Sequence, residues 1–191
     1  MTGGLPLKQR LRLMILASLF AVLTVVGAFI RIPFPVIPLT LQVFFVYLAG
    51  VLLGSKGALL SQGLYIAMGL LGLPVFTVGG GLQALLRPSF GFVVGFAVAA
   101  YVTGALTERH VEPSFRDYLL ACLAGMASLY VVGVAGLYLN LNHLVGKEIS
   151  LWGAVKVGAL PFLPGDLLKA VAAAALARRV GAAVRQMLRP R

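Results

Sequence analysis

Six apolar runs, at approximately 12–30, 39–54, 58–73, 89–107, 117–140 and 164–180, alternate with short stretches rich in charge, proline and glycine. A helix that crosses a bilayer needs about 20 predominantly apolar residues. The pattern therefore predicts an all-α integral membrane protein of six transmembrane helices, forming a single membrane domain over 1–191. Only Ser55-Lys56-Gly57 separates the second and third runs, which predicts a tight helical hairpin at the membrane surface. The first run follows Lys8, Arg10 and Arg12 as a secretory signal would. Its apolar stretch of about 18 residues exceeds the usual signal core, and further spans follow, so it reads as an uncleaved first helix.

Composition agrees with this pattern. Of 191 residues, 60% are hydrophobic and 11% charged, with a mean hydropathy of +1.00; soluble domains carry about a quarter charged residues. The formal net charge of +11 comes from clusters between apolar runs. That arrangement points to membrane topology and away from nucleic acid, which asks for a continuous basic face. With six spans, Lys8, Arg10, Arg12, Lys56, Arg109, Arg116, Arg178, Arg179, Arg185, Arg189 and Arg191 fall on one side. Arg31, Arg87, Lys147 and Lys156 fall on the other. The positive-inside rule then puts both termini in the cytoplasm of a multi-pass protein of the cell membrane. The outward connections are "RIPFPVIPLT", "GLPVFTVGGGLQALLRPSF" and the stretch 140–164. Irregular backbone survives near a membrane only where protein or a water-filled cavity satisfies it, so these loops are expected to fold over something. In the third, Ser150 as N-cap, Trp152 as interfacial aromatic and Pro161 as stop predict a short helix at the outer surface.

Most catalytic chemistry lacks residues here. "GVLLGSKGALL" fails as a phosphate-binding loop, because Gly50 and Gly54 are too close and Ser55 precedes Lys56. His110 and His143 have no neighbours at metal-ligand spacing, and the single Cys122 allows no internal disulfide. No catalytic residue, metal or cofactor is expected, and the chain does not read as an enzyme. Asp166 and Lys169 stand out in "PFLPGDLLKA": their i,i+3 spacing puts them on one helical face in the first turns after Pro164-Gly165. Two roles are open to them, a self-neutralising structural pair or contacts to a ligand that recovers the cost of burying charge in a membrane. Thr40 and Gln42 lie near the same outer level, where they could bond between helices or to a ligand. Gly79, Gly80 and Gly81 permit close backbone approach or a plain turn. Ala17 and Ala21, with Gly27, give the first helix a small-residue face for close contact, inside this chain or with another.

Taken together, "PLTLQ", "GLLGLPVF", "RPSFGFVVGF" and "PFLPGDLLKA" resemble the biotin-specific substrate-capture subunit, or S component, of energy-coupling factor transporters, across nearly the whole chain. The resemblance implies a six-helix membrane subunit that captures biotin from outside beneath its outward loops. It also implies partners, a transmembrane coupling protein and two cytoplasmic ATPase subunits. Residue by residue, the family's G-D-x-x-K signature falls on Asp166 and Lys169, and its T-x-Q on Thr40 and Gln42. Its substrate loop falls on 72–81 with Gly79 and Gly80, followed by a turn at Pro88, Ser89, Gly91 and Phe92. Its helix-one alanines, which dock the coupling protein, fall on Ala17 and Ala21. Phe76 and Phe92 are expected as apolar walls, and Arg87, where many members have glycine, as a counter-charge for the biotin carboxylate or a solvated arginine. The alternatives are an S component for another vitamin and a small membrane enzyme acting on lipid-like substrates.

Overall fold

In the computed structural model, residues 6–33, 36–77 and 79–188 are described; Arg189 and Arg191 of the basic C-terminal cluster lie outside them. The helices are α1 (Leu7–Phe29), α2 (Gln42–Leu70), α3 (Phe90–Thr107), α4 (Phe115–Leu139), α5 (Leu151–Gly158) and α6 (Leu163–Leu188). Two short antiparallel strands, β1 (Arg31–Ile32) and β2 (Leu39–Thr40), join α1 to α2. A 3-10 turn at Leu82–Leu86 precedes α3, and a π-helical turn at Asn140–Val145 follows α4.

By length and hydropathy, α1, α2, α3 and the stretch Phe115–Val145 can each cross a membrane, and α5 with α6 forms a pair bent by 55°. That makes four crossings, or five if the bent pair is one span, when α2 is a single helix of 29 residues. It is not straight. At Gly54 the backbone leaves helical geometry (φ 74°, ψ 178°), and Gln42 Nε2 donates to Tyr65 Oη at 2.7 Å. In a straight helix those residues would stand about 35 Å apart. The arms 42–53 and 55–70 therefore run antiparallel. Glu108, just past α3, holds the reversal: its carboxylate accepts from the Ser55 N–H at 3.0 Å and from Ser55 Oγ at 2.7 Å. A side chain on Gly54 would strike that carboxylate, and its positive φ suits glycine.

Helix α1 lies along both arms. Leu13 sits over Gly57, Gln62 Nε2 donates to Thr24 Oγ1 at 3.3 Å, and a Cβ on Gly27 would come within 2.8 Å of the Gln42 nitrogen. This contact line is the stripe Ala17, Phe20, Ala21, Thr24, Gly27 and Ala28, all buried. Ala17 is 0% and Ala21 1% exposed. The expectation that these two alanines present a docking face to a partner is thus corrected: they form the internal seam against α2, where small side chains let the backbones approach. The face of α1 left outside is large and apolar, with Met14, Ile15, Leu19 and Val22 exposed.

Elsewhere the helices also meet through small residues. A Cβ on Gly91 of α3 would lie 2.8 Å from the Gly136 Cα of α4. At one end of the bundle Arg12 donates to the Met187 carbonyl at 2.9 Å, and Arg185 bonds Tyr118. The start of α1 and the end of α6 therefore meet at the same end as the Gly54 reversal and Glu108.

Two stability measurements check this packing. Ala17→Leu or Ala21→Leu overfills the seam and should cost about 1–3 kcal/mol in thermal unfolding in detergent; a variant that melts like the parent would place the stripe elsewhere. Gly54→Ala should destabilise, whereas Gly63→Ala, at a helical glycine with open space around it, should be neutral or stabilising by up to about 1 kcal/mol. Equal effects at the two glycines would remove the case for a reversal at Gly54.

Candidate functional site

The first turns of α6 carry the polar centre. Pro164 suits the start of a helix because its missing N–H has no intrahelical partner there, and the Asp166 N–H bonds back to the Phe162 carbonyl at 2.9 Å. Asp166 is buried, with its carboxylate at the positive end of the helix. Lys169 Nζ donates to Asp166 Oδ1 at 2.7 Å. Tyr130 Oη, from the middle of α4, donates to Oδ2 at 2.7 Å. Both carboxylate oxygens are thus engaged by donors from two helices.

A cavity opens beside this pair at the end of the bundle away from the Gly54 reversal. The β1–β2 ribbon brings Thr40 to one wall, where Thr40 Oγ1 donates to Gln42 Oε1 at 3.2 Å and Gln42 in turn donates to Tyr65. The loop after α2 folds back so that the Gly81 N–H bonds the Gly69 carbonyl at 2.7 Å. Gly69 lacks a side chain where the Phe76 ring lies against it, which seats Phe76 edge-on to Tyr65 at 5.3 Å. Arg31 donates to the Thr77 carbonyl and ties that loop to the ribbon. Phe92 and Phe96 of α3, with Gly158 and Phe162 around the α5–α6 bend, complete the wall.

The structure brings Thr40, Gln42, Phe76, Arg87, Phe92, Asp166 and Lys169 to this one cavity. Gly79 and Gly80 are not among its lining residues. Gly79 (φ 100°) closes a turn onto the Phe76 carbonyl at 3.1 Å, and Gly80 lies against the Leu73 backbone. Their place in the fold is to hold Phe76 and its loop. Sequence reasoning missed Tyr65, Tyr130, Phe90, Phe96 and Phe162, which also line the cavity. The available signal was a tyrosine within an apolar run, since a buried phenol asks for a partner. Nothing in the local sequence says that the partner of Tyr130 stands 36 residues away.

The ionic lining consists of Lys169 and Arg87 against Asp166, two cations to one anion, within walls that are mostly aromatic and aliphatic. Such a site is built to bind a small molecule that is largely apolar, offers hydrogen-bond donors and acceptors, and carries one negative charge. Among the described residues no group of three or more His, Cys, Asp or Glu comes together.

Comparison with known proteins agrees with this geometry. A family model described as the BioY family matches residues 4–186. A probable biotin transporter BioY of Lysinibacillus sphaericus is 43% identical over 175 residues, covering 91% of this chain and 89% of that protein. The biotin transporter BioY of Thermotoga maritima is 42% identical over 171 residues, covering 89% of this chain and 96% of its own length. Among solved structures, the S-component for biotin from an ECF-type ABC transporter superposes with a TM-score of 0.80 at 27% identity, covering 93% of this chain and 94% of that one. With matching family, matching helical architecture and near-complete coverage in both directions, the chain belongs to the BioY family.

Proposed function

We propose that this chain is a biotin-binding subunit of the cell membrane, which captures the vitamin from outside and delivers it inward when coupled to a transmembrane coupling protein and two cytoplasmic ATPase subunits. The observation that carries the reading is the Asp166–Lys169–Tyr130 centre buried in an aromatic cavity, in a chain of this family. Biotin supplies what such a wall lacks. Its ureido ring offers two N–H donors and a carbonyl acceptor, and its valerate ends in a carboxylate. Asp166 accepts from donors and Lys169 donates to acceptors, while Thr40 and Gln42 can do either. Phe76 and Phe92 cover the thiophane ring and the aliphatic tail. The single excess positive charge of the wall, with Arg87 counted, balances the carboxylate. Binding and release of a small molecule is the task this wall suits, in keeping with a transport subunit.

The membrane arrangement belongs to the same proposal: one domain, six crossings and both termini inside. The antiparallel arms of α2 support two crossings in place of one, which with α1, α3, α4 and α6 makes six. The bundle end where Arg12 meets Met187 also holds Lys56, Arg116 and Arg185, whereas the cavity end holds Arg31 and Arg87. The positive-inside rule then turns the cavity outward.

Three measurements test the reading. A titration with a panel of vitamins should show biotin bound most tightly, and no binding at micromolar concentration would discard it. Asp166→Asn and Lys169→Ala should each weaken biotin by about 2–5 kcal/mol, roughly thirty-fold to several-thousand-fold. The double replacement Asp166→Leu with Lys169→Leu removes both buried charges together and should recover stability without recovering affinity. Tight biotin binding by the double variant would show the pair to be structural only. Finally, a cysteine introduced at Leu82, 69% exposed in the same connection, should be labelled from outside in intact cells while one at Arg179 is not; the reverse pattern would invert the topology.

A further inference from the structure

A second hollow lies beside the cavity on the α3–α4 flank, between Arg87 and Phe90 on one wall and Leu139, Asn140 and His143 on the other. Arg87 and Phe90 belong to both hollows. Three features define what this one can hold.

The first is Asn140, only 6% exposed, where α4 passes into its π-helical turn. Its Nδ2 donates to the Leu86 carbonyl at 3.1 Å, which fixes which way round the amide sits. Its Oδ1 is buried and has no hydrogen-bond partner among the described residues. A buried acceptor left unpaired is costly, so an occupant of the hollow is favoured if it brings an N–H or O–H. The second is Arg87. Its side chain is exposed and no carboxylate pairs with it among the described residues; five N–H donors in a planar fork suit a phosphate. The third is the remaining surface, apolar and open to the side, with Leu139 54% and Leu144 60% exposed. In the proposed membrane arrangement that flank faces hydrocarbon, and the polar groups stand at the cavity end of the bundle, at headgroup level.

An anion, a hydroxyl or amine donor and an alkyl chain at one place describe a phospholipid. We propose that this hollow seats one phospholipid of the leaflet at the cavity end. Its phosphate pairs with Arg87, a headgroup hydroxyl donates to Asn140 Oδ1, and an acyl chain runs down past Leu139 between α3 and α4. The chemistry selects phosphatidylglycerol over lipids whose headgroup lacks a donor. Because Arg87 also lines the ligand cavity, the lipid sits next to the binding site. With five N–H donors, Arg87 can face the lipid phosphate and the ligand carboxylate counted in the proposed function at the same time; the lipid contacts themselves do not require that ligand.

Native mass spectrometry of the full chain, purified and delipidated in mild detergent, decides the matter. Three lipids with the same acyl chains would be titrated: phosphatidylglycerol, phosphatidylcholine, and phosphatidylmethanol, which keeps the phosphate charge but has no hydroxyl. The expected result is one phosphatidylglycerol bound at least ten-fold more tightly than phosphatidylcholine and several-fold more tightly than phosphatidylmethanol. Arg87→Gln, at an exposed position, should abolish the preference over phosphatidylcholine, and Arg87→Lys should keep part of it. Equal binding of phosphatidylglycerol and phosphatidylcholine would overturn the proposal, as would equal binding of phosphatidylglycerol and phosphatidylmethanol. So would a preference that survives in Arg87→Gln.

Discussion

The buried pair of Asp166 and Lys169 is the constraint to which the cavity end of the protein answers. A charged residue within a membrane costs about 2.5–3.5 kcal/mol even on insertion scales, and here two stand one helical turn apart, joined at 2.7 Å. Their mutual attraction offsets part of that cost, and Tyr130 adds a second donor to the carboxylate. The positions of α4 and α6 are tied together by this contact. The largely apolar lining around it lowers the local dielectric, which strengthens the polar contacts a ligand makes there.

A bundle in lipid cannot rely on hydrophobic burial to draw helices together, because the surrounding tails are as apolar as leucine. The protein relies on close backbone approach instead. Gly27 meets Leu41 and Gln42, Gly91 meets Gly136, and Gly104 lies against Gly54 and Ser55. These contacts let short polar links work: Gln42 to Tyr65 and Gln62 to Thr24 stitch the arms of α2 to each other and to α1. The reversal at Gly54 follows the same logic. Nonhelical backbone between packed helices needs partners from the protein, and the Glu108 carboxylate supplies the acceptor for Ser55.

The cavity is thus assembled from pieces far apart in the chain, each held by its own local device. The two-strand ribbon positions Thr40, the Gly69–Gly81 bond folds the loop that carries Phe76, and the α5–α6 bend places Phe162. Loop and ribbon are joined by Arg31. Three of the cavity's walls are connections, and of the charges that line it Asp166 and Lys169 stand on α6 while Arg87 stands on the connection before α3.

The membrane character of the chain, the helical class of its segments and the shared face of Asp166 and Lys169 were legible in the sequence, because hydropathy and helical periodicity are local properties that one span expresses alone. Four short strings in order were enough to indicate the family. The seven cavity residues named from sequence all lie beside motifs or at helix ends. Tyr65 and Tyr130 carry no such mark, and their roles come from partners 23 and 36 residues away. The same holds for Ala17 and Ala21: a small-residue stripe states that something approaches closely, but only the fold shows that it is α2. Gly79 and Gly80 likewise had the freedom to meet a ligand, and the loop uses it to turn the chain. Local pattern set which segments enter the membrane and where charge is buried. Which surfaces meet was decided by packing, since in a uniformly apolar chain nearly every helix face is equally fit to touch lipid or protein and only close backbone contact and paired polar groups distinguish them.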